Sequence, residues 1–194
     1  ENPEVLGYED ALGNTLIPYL VKNGASIRYV SSLINLGAFK DQVDLNYFTP
    51  LHHAVQNGDL PMVRYLLSIG VGLNYRANSR NLRNTPLLIA ASANNDDSPE
   101  ILRLLIEHGA MLNDVNTELD SALHLAIFSD RIEHVDLLIN HGARLNCTNT
   151  SGHTPLHSAV FIDNPEMVDH LLLAGADPNR TDNDFNSPLY DALE

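Results

Sequence analysis

The segment Thr154-Pro-Leu-His157 decides the fold, because near copies of it recur along the chain. The first residues of successive copies lie 36, 36, 33 and 33 positions apart. A regular period of this length predicts a chain built from repeated units that stack on one another. The other copies are Thr49-Pro-Leu-His52, Thr85-Pro-Leu-Leu88, Ser121-Ala-Leu-His124 and Ser187-Pro-Leu-Tyr190.

Each copy carries the signals of a helix start, and a second recurring segment marks a helix end. Thr or Ser caps the free backbone amides, and Pro suits the first helical position because its φ is already set. A run of Val, Ile and Leu then predicts a second helix, which a glycine ends in a left-handed conformation. The glycine segments are Gly70–Asn74, Gly109–Asn113, Gly142–Asn146 and Gly175–Asn179.

A single pair of short helices is too thin to bury its own apolar face, so we expect the units to stack. The five segments in register resemble the ankyrin family, whose unit of about 33 residues carries Thr-Pro-Leu-His near its first helix. The resemblance covers residues 14–194, nearly the whole chain. It implies an all-α fold, an ankyrin-repeat solenoid of helix-turn-helix units joined by hairpin loops.

The domain organisation follows from the same register. We expect an N-terminal extension in residues 1–13 and a single ankyrin-repeat domain in residues 14–194. The first unit is degenerate, because Thr15-Leu16-Ile17 lacks the Pro and His of the later copies. The sixth unit is only a part, and we expect the solenoid or another domain to continue beyond Glu194. The expected units cover residues 14–46, 47–81, 84–117, 120–150, 153–183 and, in part, 186–194.

The charge of the chain is strongly negative and unevenly distributed. The formal net charge is −14, and residues 98–194 hold sixteen acids against four bases, whereas residues 1–97 hold nine against seven. Such a field repels nucleic-acid phosphates and favours a basic partner, although the same acids would also keep a surface-rich protein dissolved. No apolar run approaches the ~18 residues of a membrane span, so we expect no insertion into membranes. We also expect the chain to be a monomer.

We find no pattern typical of a catalytic, cofactor or metal site. The single cysteine, Cys147, allows no intrachain disulfide, which favours a reducing compartment, the cytoplasm or alternatively the nucleus. The resemblance implies that the histidines of the Thr-Pro-Leu-His segments bridge backbone groups between turns. His153 and His157 lack a third ligand at a convincing spacing. We therefore expect no enzyme activity, no cofactor and no metal.

One hairpin is longer than the others and rich in arginine. From Gly70 to Thr85 there are 15 residue steps against 12 in the other units, and the extra residues fall within 74–84. Insertions in repeat proteins often lie on the binding face. A contact for acidic groups or a peptide backbone and a merely solubilising insertion both fit this pattern. The basic residues concerned are Arg76, Arg80 and Arg83.

Two hairpins lack the glycine that Gly152 supplies in another. Tyr47 and Leu119 stand in its place, and non-glycine residues lose stability at positive φ. We therefore expect these hairpins to be distorted or to use another turn. We also expect Tyr47, beside Phe48, to be exposed as a ready contact.

The resemblance implies where a partner binds, since ankyrin scaffolds use their hairpin tips and the exposed side of the first helices, which line a concave groove. Phe128 and Phe161 are 33 residues apart and so occupy the same position in adjacent units. With Ile162 they would form an apolar patch in acidic surroundings, the usual basis of a hot spot, unless the rings fill gaps between units. The remaining candidates at matching positions are Phe48, Gln56, Asn57, Asn84, Asp120, Ser129 and His153.

These patterns predict a scaffold or adaptor that binds a partner protein or peptide with basic and apolar residues in an acidic concave groove. The alternative is a substrate-recognition or regulatory module of a larger enzyme or ubiquitin-ligase-type assembly whose catalytic part lies outside this chain. The full length of the parent protein would separate the two hypotheses.

Overall fold

The chain is helical in a computed structural model, which describes residues 15–78 and 82–192. Within these residues the helices come in pairs, which we number repeats 1 to 5, and α11 follows them. The β-bridges Ala77–Asn84 and Val115–Ser121 are isolated and lie in hairpins. The predicted all-α fold class is therefore confirmed. The helices are α1 Leu16–Lys22, α2 Ile27–Asn35, α3 Pro50–Gln56, α4 Leu60–Ser68, α5 Pro86–Ala91, α6 Ser98–Glu107, α7 Ala122–Phe128, α8 Ile132–Asn140, α9 Pro155–Phe161, α10 Pro165–Leu173 and α11 Pro188–Asp191.

The residues group into two compact units, each with its own aliphatic core. Of the described residues, compact unit 1 holds those up to Ala90 together with Asn95–Ala110, and compact unit 2 holds Ala91–Asn94 and those from Met111 onward. In unit 1, α3 packs against α1 and α4. In unit 2, α9 packs against α7, α10 and α11. The largest fully buried side chains include Leu51, Leu66 and Leu102 in unit 1, and Leu123, Ile127 and Leu138 in unit 2.

Reciprocal hydrogen bonds hold the start of the first helix in repeats 2, 4 and 5. In repeat 5 the hydroxyl of Thr154 accepts the backbone N–H of His157 at 3.4 Å, and the His157 ring Nδ1 accepts the N–H of Thr154 at 3.1 Å. Thr49 with His52 and Ser121 with His124 form the same capping box. Because the partners are only three residues apart, local sequence suffices to start each helix.

Glycines end the second helices in the left-handed region, as the sequence predicts. Gly109 and Gly142 have φ of 91° and 88°. The N–H of the following residue then reaches back into the helix, since Ala143 donates to the carbonyl oxygen of Leu138 at 3.0 Å. This bond satisfies a carbonyl that the helix would otherwise leave without a partner.

The hairpins of Tyr47 and Leu119 keep the same turn as the hairpin of Gly152, so the predicted distortion is wrong. The φ angles of Tyr47, Leu119 and Gly152 are 60°, 58° and 79°. All three residues are therefore left-handed. For the two non-glycine residues this conformation costs roughly 1–2 kcal/mol, and another interaction must offset that cost.

An Asp or Asn side chain three residues earlier provides that interaction. In the repeat 4 hairpin, Oδ1 of Asn116 accepts the N–H groups of Glu118 and Asp120, both at 2.9 Å. Such a side chain mimics a backbone turn and fixes the residues on both sides of the left-handed position. Equivalent pairs of bonds are made by Asp44, Asn149 and Asp182.

Backbone hydrogen bonds join neighbouring hairpin tips in compact unit 2. The N–H of Thr150 donates to the carbonyl oxygen of Glu118 at 2.9 Å, and the N–H of Asn183 donates to that of Ser151 at 3.2 Å. Gly152 is required at this contact, since a Cβ there would lie 2.6 Å from the backbone nitrogen of Asn183. The hairpins of repeats 4 and 5 and the following one thus form a joined row beside α7 and α9.

Candidate protein-binding surface

Buried histidines tie the first helices of repeats 2, 4 and 5 to the hairpins that follow them. In compact unit 2, Nε2 of His124 lies 3.0 Å from the carbonyl oxygen of His153, and Nε2 of His157 lies 3.1 Å from that of Asn186. His52 makes the equivalent contact to Asn84 in compact unit 1, at 3.3 Å. The role that the resemblance implied for these histidines is confirmed, and both ring nitrogens of each are occupied by backbone or cap groups.

Burial favours the neutral form of two buried histidines, His124 and His134. Burial lowers the pKa of His124, against the opposing effect of its hydrogen bond to the His153 carbonyl. Burial likewise lowers the pKa of His134, whose Nδ1 lies 3.0 Å from the carbonyl oxygen of Ala91. Desolvation of a charged imidazolium is the dominant cost in both places. Through these hydrogen bonds, the neutral histidines help to hold the helices and hairpins of compact unit 2 in position.

Phe128 and Phe161 are the last residues of α7 and α9, and both are exposed. Their exposed fractions are 41% and 76%. In repeats 1, 2 and 3 the same position holds Lys22, Gln56 and Ser92, which are polar. Because α7 packs directly against α9, the two aromatic residues lie at neighbouring helix ends in compact unit 2. Most of Phe161 is therefore open to solvent, whereas more than half of Phe128 is covered.

An aspartate follows each phenylalanine by two residues and adopts an unusual conformation. Asp130 and Asp163 have φ of 53° and 55°, at the turn positions where repeats 1 and 2 have Gly24 and Gly58. Oδ1 of Asp130 accepts a hydrogen bond from Nδ2 of Asn164 at 2.6 Å. Asp tolerates positive φ better than most residues because its short polar side chain can bond locally. The result is a Phe-x-Asp pattern repeated one repeat apart, and we call residues 128–130 with 161–163 the α7–α9 surface.

The middle residues of this pattern are less available than the sequence predicts. The Ser129 hydroxyl donates to the carbonyl oxygen of Ser92 at 3.2 Å, so it is already used within compact unit 2. Ile162 is half-buried at the end of α9. Both residues support the surface from below, and the phenylalanines and aspartates are its outermost groups.

The hairpin candidates Asp120 and His153 lie within a polar network. Oδ1 of Asp120 accepts a bond from Nδ2 of Asn149 at 3.1 Å. The ring of His153 stacks on His157 with centroids 5.6 Å apart, and its Nε2 lies 3.5 Å from Oδ2 of Asp182. The pKa of Asp182 is lowered, because burial, which raises it, is outweighed by backbone hydrogen bonds from Asn186 and Asp184 and by the nearby histidines. This network keeps negative charge beside the first helices.

Phe48 is buried, so it lacks the exposure that a contact residue at this position would need. Only 6% of it is exposed, and its ring stacks against His53 with centroids 5.0 Å apart. The backbone N–H of Phe48 is held by Oδ1 of Asp44, which turns the ring inward. Tyr47, its neighbour at positive φ, is exposed as predicted.

The other candidate contact residues belong to compact unit 1 and not to the compact unit that holds Phe128 and Phe161. Gln56 and Asn57 are exposed, but Nδ2 of Asn57 donates to the carbonyl oxygens of Val21 and Lys22 at 3.0 and 3.2 Å. In the lengthened hairpin, Arg76 and Arg83 are exposed and Asn84 is half-buried, whereas Arg80 lies outside the described residues. The structure therefore provides no shared binding feature for these positions.

Comparison with known protein families agrees with this architecture. The family described as ankyrin repeats, in three copies, matches residues 4–81, 71–149 and 111–182. The chain belongs to the ankyrin-repeat family. A comparison with curated proteins found no match. Ankyrin repeats are protein–protein interaction modules, so a binding role for the surfaces of these repeats follows from the family itself.

The exposure of two apolar residues in the ankyrin hairpins was not predicted from the sequence. Leu119 and Phe185 occupy the left-handed hairpin position of Tyr47, and Phe185 is 86% exposed. The signal was present, because both follow an Asx residue by three positions, as Tyr47 follows Asp44.

A cleft of about 480 Å³ also lies between α9, α10 and α11, lined by residues on both sides of Phe161.

Among residues 15–78 and 82–192, no group of three or more His, Cys, Asp or Glu side chains is placed to hold a metal ion. Within the same residues, no helix has the length and apolar character to cross a membrane.

Proposed function

We propose that this ankyrin-repeat protein is a scaffold or adaptor that binds a basic, partly apolar segment of a partner protein on the α7–α9 surface. The observation that carries the proposal is the exposure of Phe128 and Phe161 at equivalent positions of adjacent repeats. Aromatic side chains supply much of the affinity of protein interfaces when a partner covers them and excludes water.

Charge favours a basic partner. Asp130 and Asp163 each lie two residues from one of the rings. In the described residues of compact unit 2, thirteen Asp and Glu side chains stand against the three arginines Arg131, Arg144 and Arg180. Long-range attraction of this kind speeds association with a cationic segment and disfavours an acidic one. The aromatic rings then provide short-range apolar contact that charge alone does not.

Selection from a random peptide library tests which kind of segment the α7–α9 surface binds, and it requires no knowledge of the natural partner. Peptides of about twelve residues, displayed on phage or mRNA, are selected on the immobilised chain. We expect enrichment of Lys, Arg and large apolar residues, and we expect the Phe128→Ala/Phe161→Ala variant to lose this enrichment while its circular dichroism stays unchanged. Tyr29→Ala is the matched control, because Tyr29 is also exposed, at 67%, but lies in compact unit 1.

The salt dependence of the affinity of a selected peptide separates the contribution of charge attraction from that of apolar contact. Raising the salt from about 50 to 200 mM should weaken binding, because exposed charges are screened over roughly 10 Å. Enrichment of acidic peptides, or equal enrichment by the double variant and the wild type, would contradict the proposal.

A further inference from the structure

The geometry points to one backbone conformation for the bound segment: we propose that the α7–α9 surface binds a polyproline II segment with apolar side chains at positions i and i+3, each followed by Lys or Arg. This inference rests on the proposed function and adds the spacing and conformation of the partner. Its starting point is that a phenylalanine and an aspartate occupy the same two positions in each of the neighbouring repeats 4 and 5.

The spacing of the two Phe-x-Asp patterns is set by helix packing. Helices α7 and α9 are neighbours in compact unit 2, and each carries its phenylalanine at its last residue. Packed helices lie about 8–10 Å apart, so equivalent side chains on the two helix ends are separated by about that distance. A partner that engages both rings needs two apolar side chains on one face at this separation.

Polyproline II meets this requirement with the fewest residues. It has three residues per turn and rises about 3.1 Å per residue, so i and i+3 share one face about 9.3 Å apart. In a β-strand, same-face residues at i+2 and i+4 lie about 6.8 and 13.6 Å away, and neither distance matches. An α-helix reaches about 10.5 Å only at i+7. Aromatic-lined surfaces are also the usual partners of polyproline II segments.

The aspartates set the positions of the basic residues. Asp130 and Asp163 follow their phenylalanines by the same two positions and share nearly the same φ, so they repeat with the same spacing as the rings. A cation placed after the first apolar residue therefore has an equivalent after the second. The segment that satisfies both repeats reads apolar-basic-x-apolar-basic.

Synthetic peptides of matched composition test the spacing. The probe contains the core Leu-Arg-Pro-Leu-Arg, labelled for fluorescence anisotropy. One comparison peptide places the two leucines two residues apart, and another is an alanine-rich helical peptide with leucines seven residues apart, each followed by Arg. We expect the i, i+3 probe to bind tightest and each single variant, Phe128→Ala or Phe161→Ala, to weaken it about tenfold. Tyr29→Ala should leave its Kd unchanged.

A one-anchor peptide makes the test sharper. In Leu-Arg-Pro-Ser-Arg the second leucine is lost, so only one of the two phenylalanines retains a partner. We expect this peptide to respond to one of the two single variants and to ignore the other. Tighter binding of the helical peptide, or of the two-residue spacing, would overturn the inference while leaving the proposed function intact. Binding that is insensitive to both phenylalanines would overturn the proposed function itself.

Discussion

The stability of compact unit 1 should depend on pH through His52. Its Nδ1 accepts the N–H of Thr49 at 3.1 Å and lies 2.8 Å from the Thr49 hydroxyl, while Nε2 faces the carbonyl oxygen of Asn84 at 3.3 Å. The ring is fully buried. Burial lowers its pKa from 6.5 to about 4, although the hydrogen bond to Asn84 acts in the opposite direction. Protonation would place a second N–H against the backbone N–H of Thr49.

The size and direction of the effect follow from this shift. Between pH 6.5 and about 4 the unfolded chain binds a proton at His52 that the folded chain does not. The stabilisation is therefore complete above the unfolded pKa and is lost as the pH falls toward the folded one. A fall in pKa from 6.5 to about 4 corresponds to about 3 kcal/mol in all, of which about 2 kcal/mol is lost by pH 5.

Urea unfolding of the wild type and of His52→Gln, followed by circular dichroism at pH 7.5 and pH 5, measures the contribution. The difference in free energy of unfolding between the two proteins should shrink by about 2 kcal/mol at the lower pH. Val55→Ala is the control: Val55 is buried in the same helix and does not titrate, so its difference should stay constant. The reasoning is refuted if the His52→Gln difference is the same at both pH values, or if NMR finds the His52 ring titrating near 6.5.

Two further predictions concern the hairpins and the helix ends. Gly175→Ala should lower the free energy of unfolding by about 1 kcal/mol, because the φ of Gly175 is 99° but no atom lies within 4 Å of the new Cβ. Gly152→Ala should lower it by about 3 kcal/mol, because the new Cβ would also meet the backbone nitrogen of Asn183. Equal costs in thermal unfolding would remove the close-approach explanation. Leu119→Gly should be about 1 kcal/mol more stable than Leu119→Ala, because only the alanine retains a Cβ at φ 58°. A more stable alanine variant would show that this turn is not strained.

Local features of the fold were readable from sequence because their partners are close in the chain. Thr154 and His157 complete a cap within three residues, and each helix-ending glycine bonds to the turn before it. The error at Leu119 arose because the missing glycine was weighed without Asn116, whose side chain holds the turn. The relevant signal was also local, and an Asx residue three positions earlier would have predicted the normal hairpin.

The exposure of a side chain, unlike a helix cap or a turn, was not readable from the local sequence. Phe48 and Phe161 were equally reasonable contact residues in the sequence, yet one is stacked on His53 and the other is 76% exposed. The repeat register, the helix pairs and the acidic character are encoded in short segments and in composition, so the chain alone was enough to establish them. Whether a ring is covered depends on how the folded backbone places the neighbouring groups, even close ones such as His53 beside Phe48. The sequence alone placed Phe128 and Phe161 at equivalent positions of adjacent repeats, but only the packed structure shows that both residues are exposed.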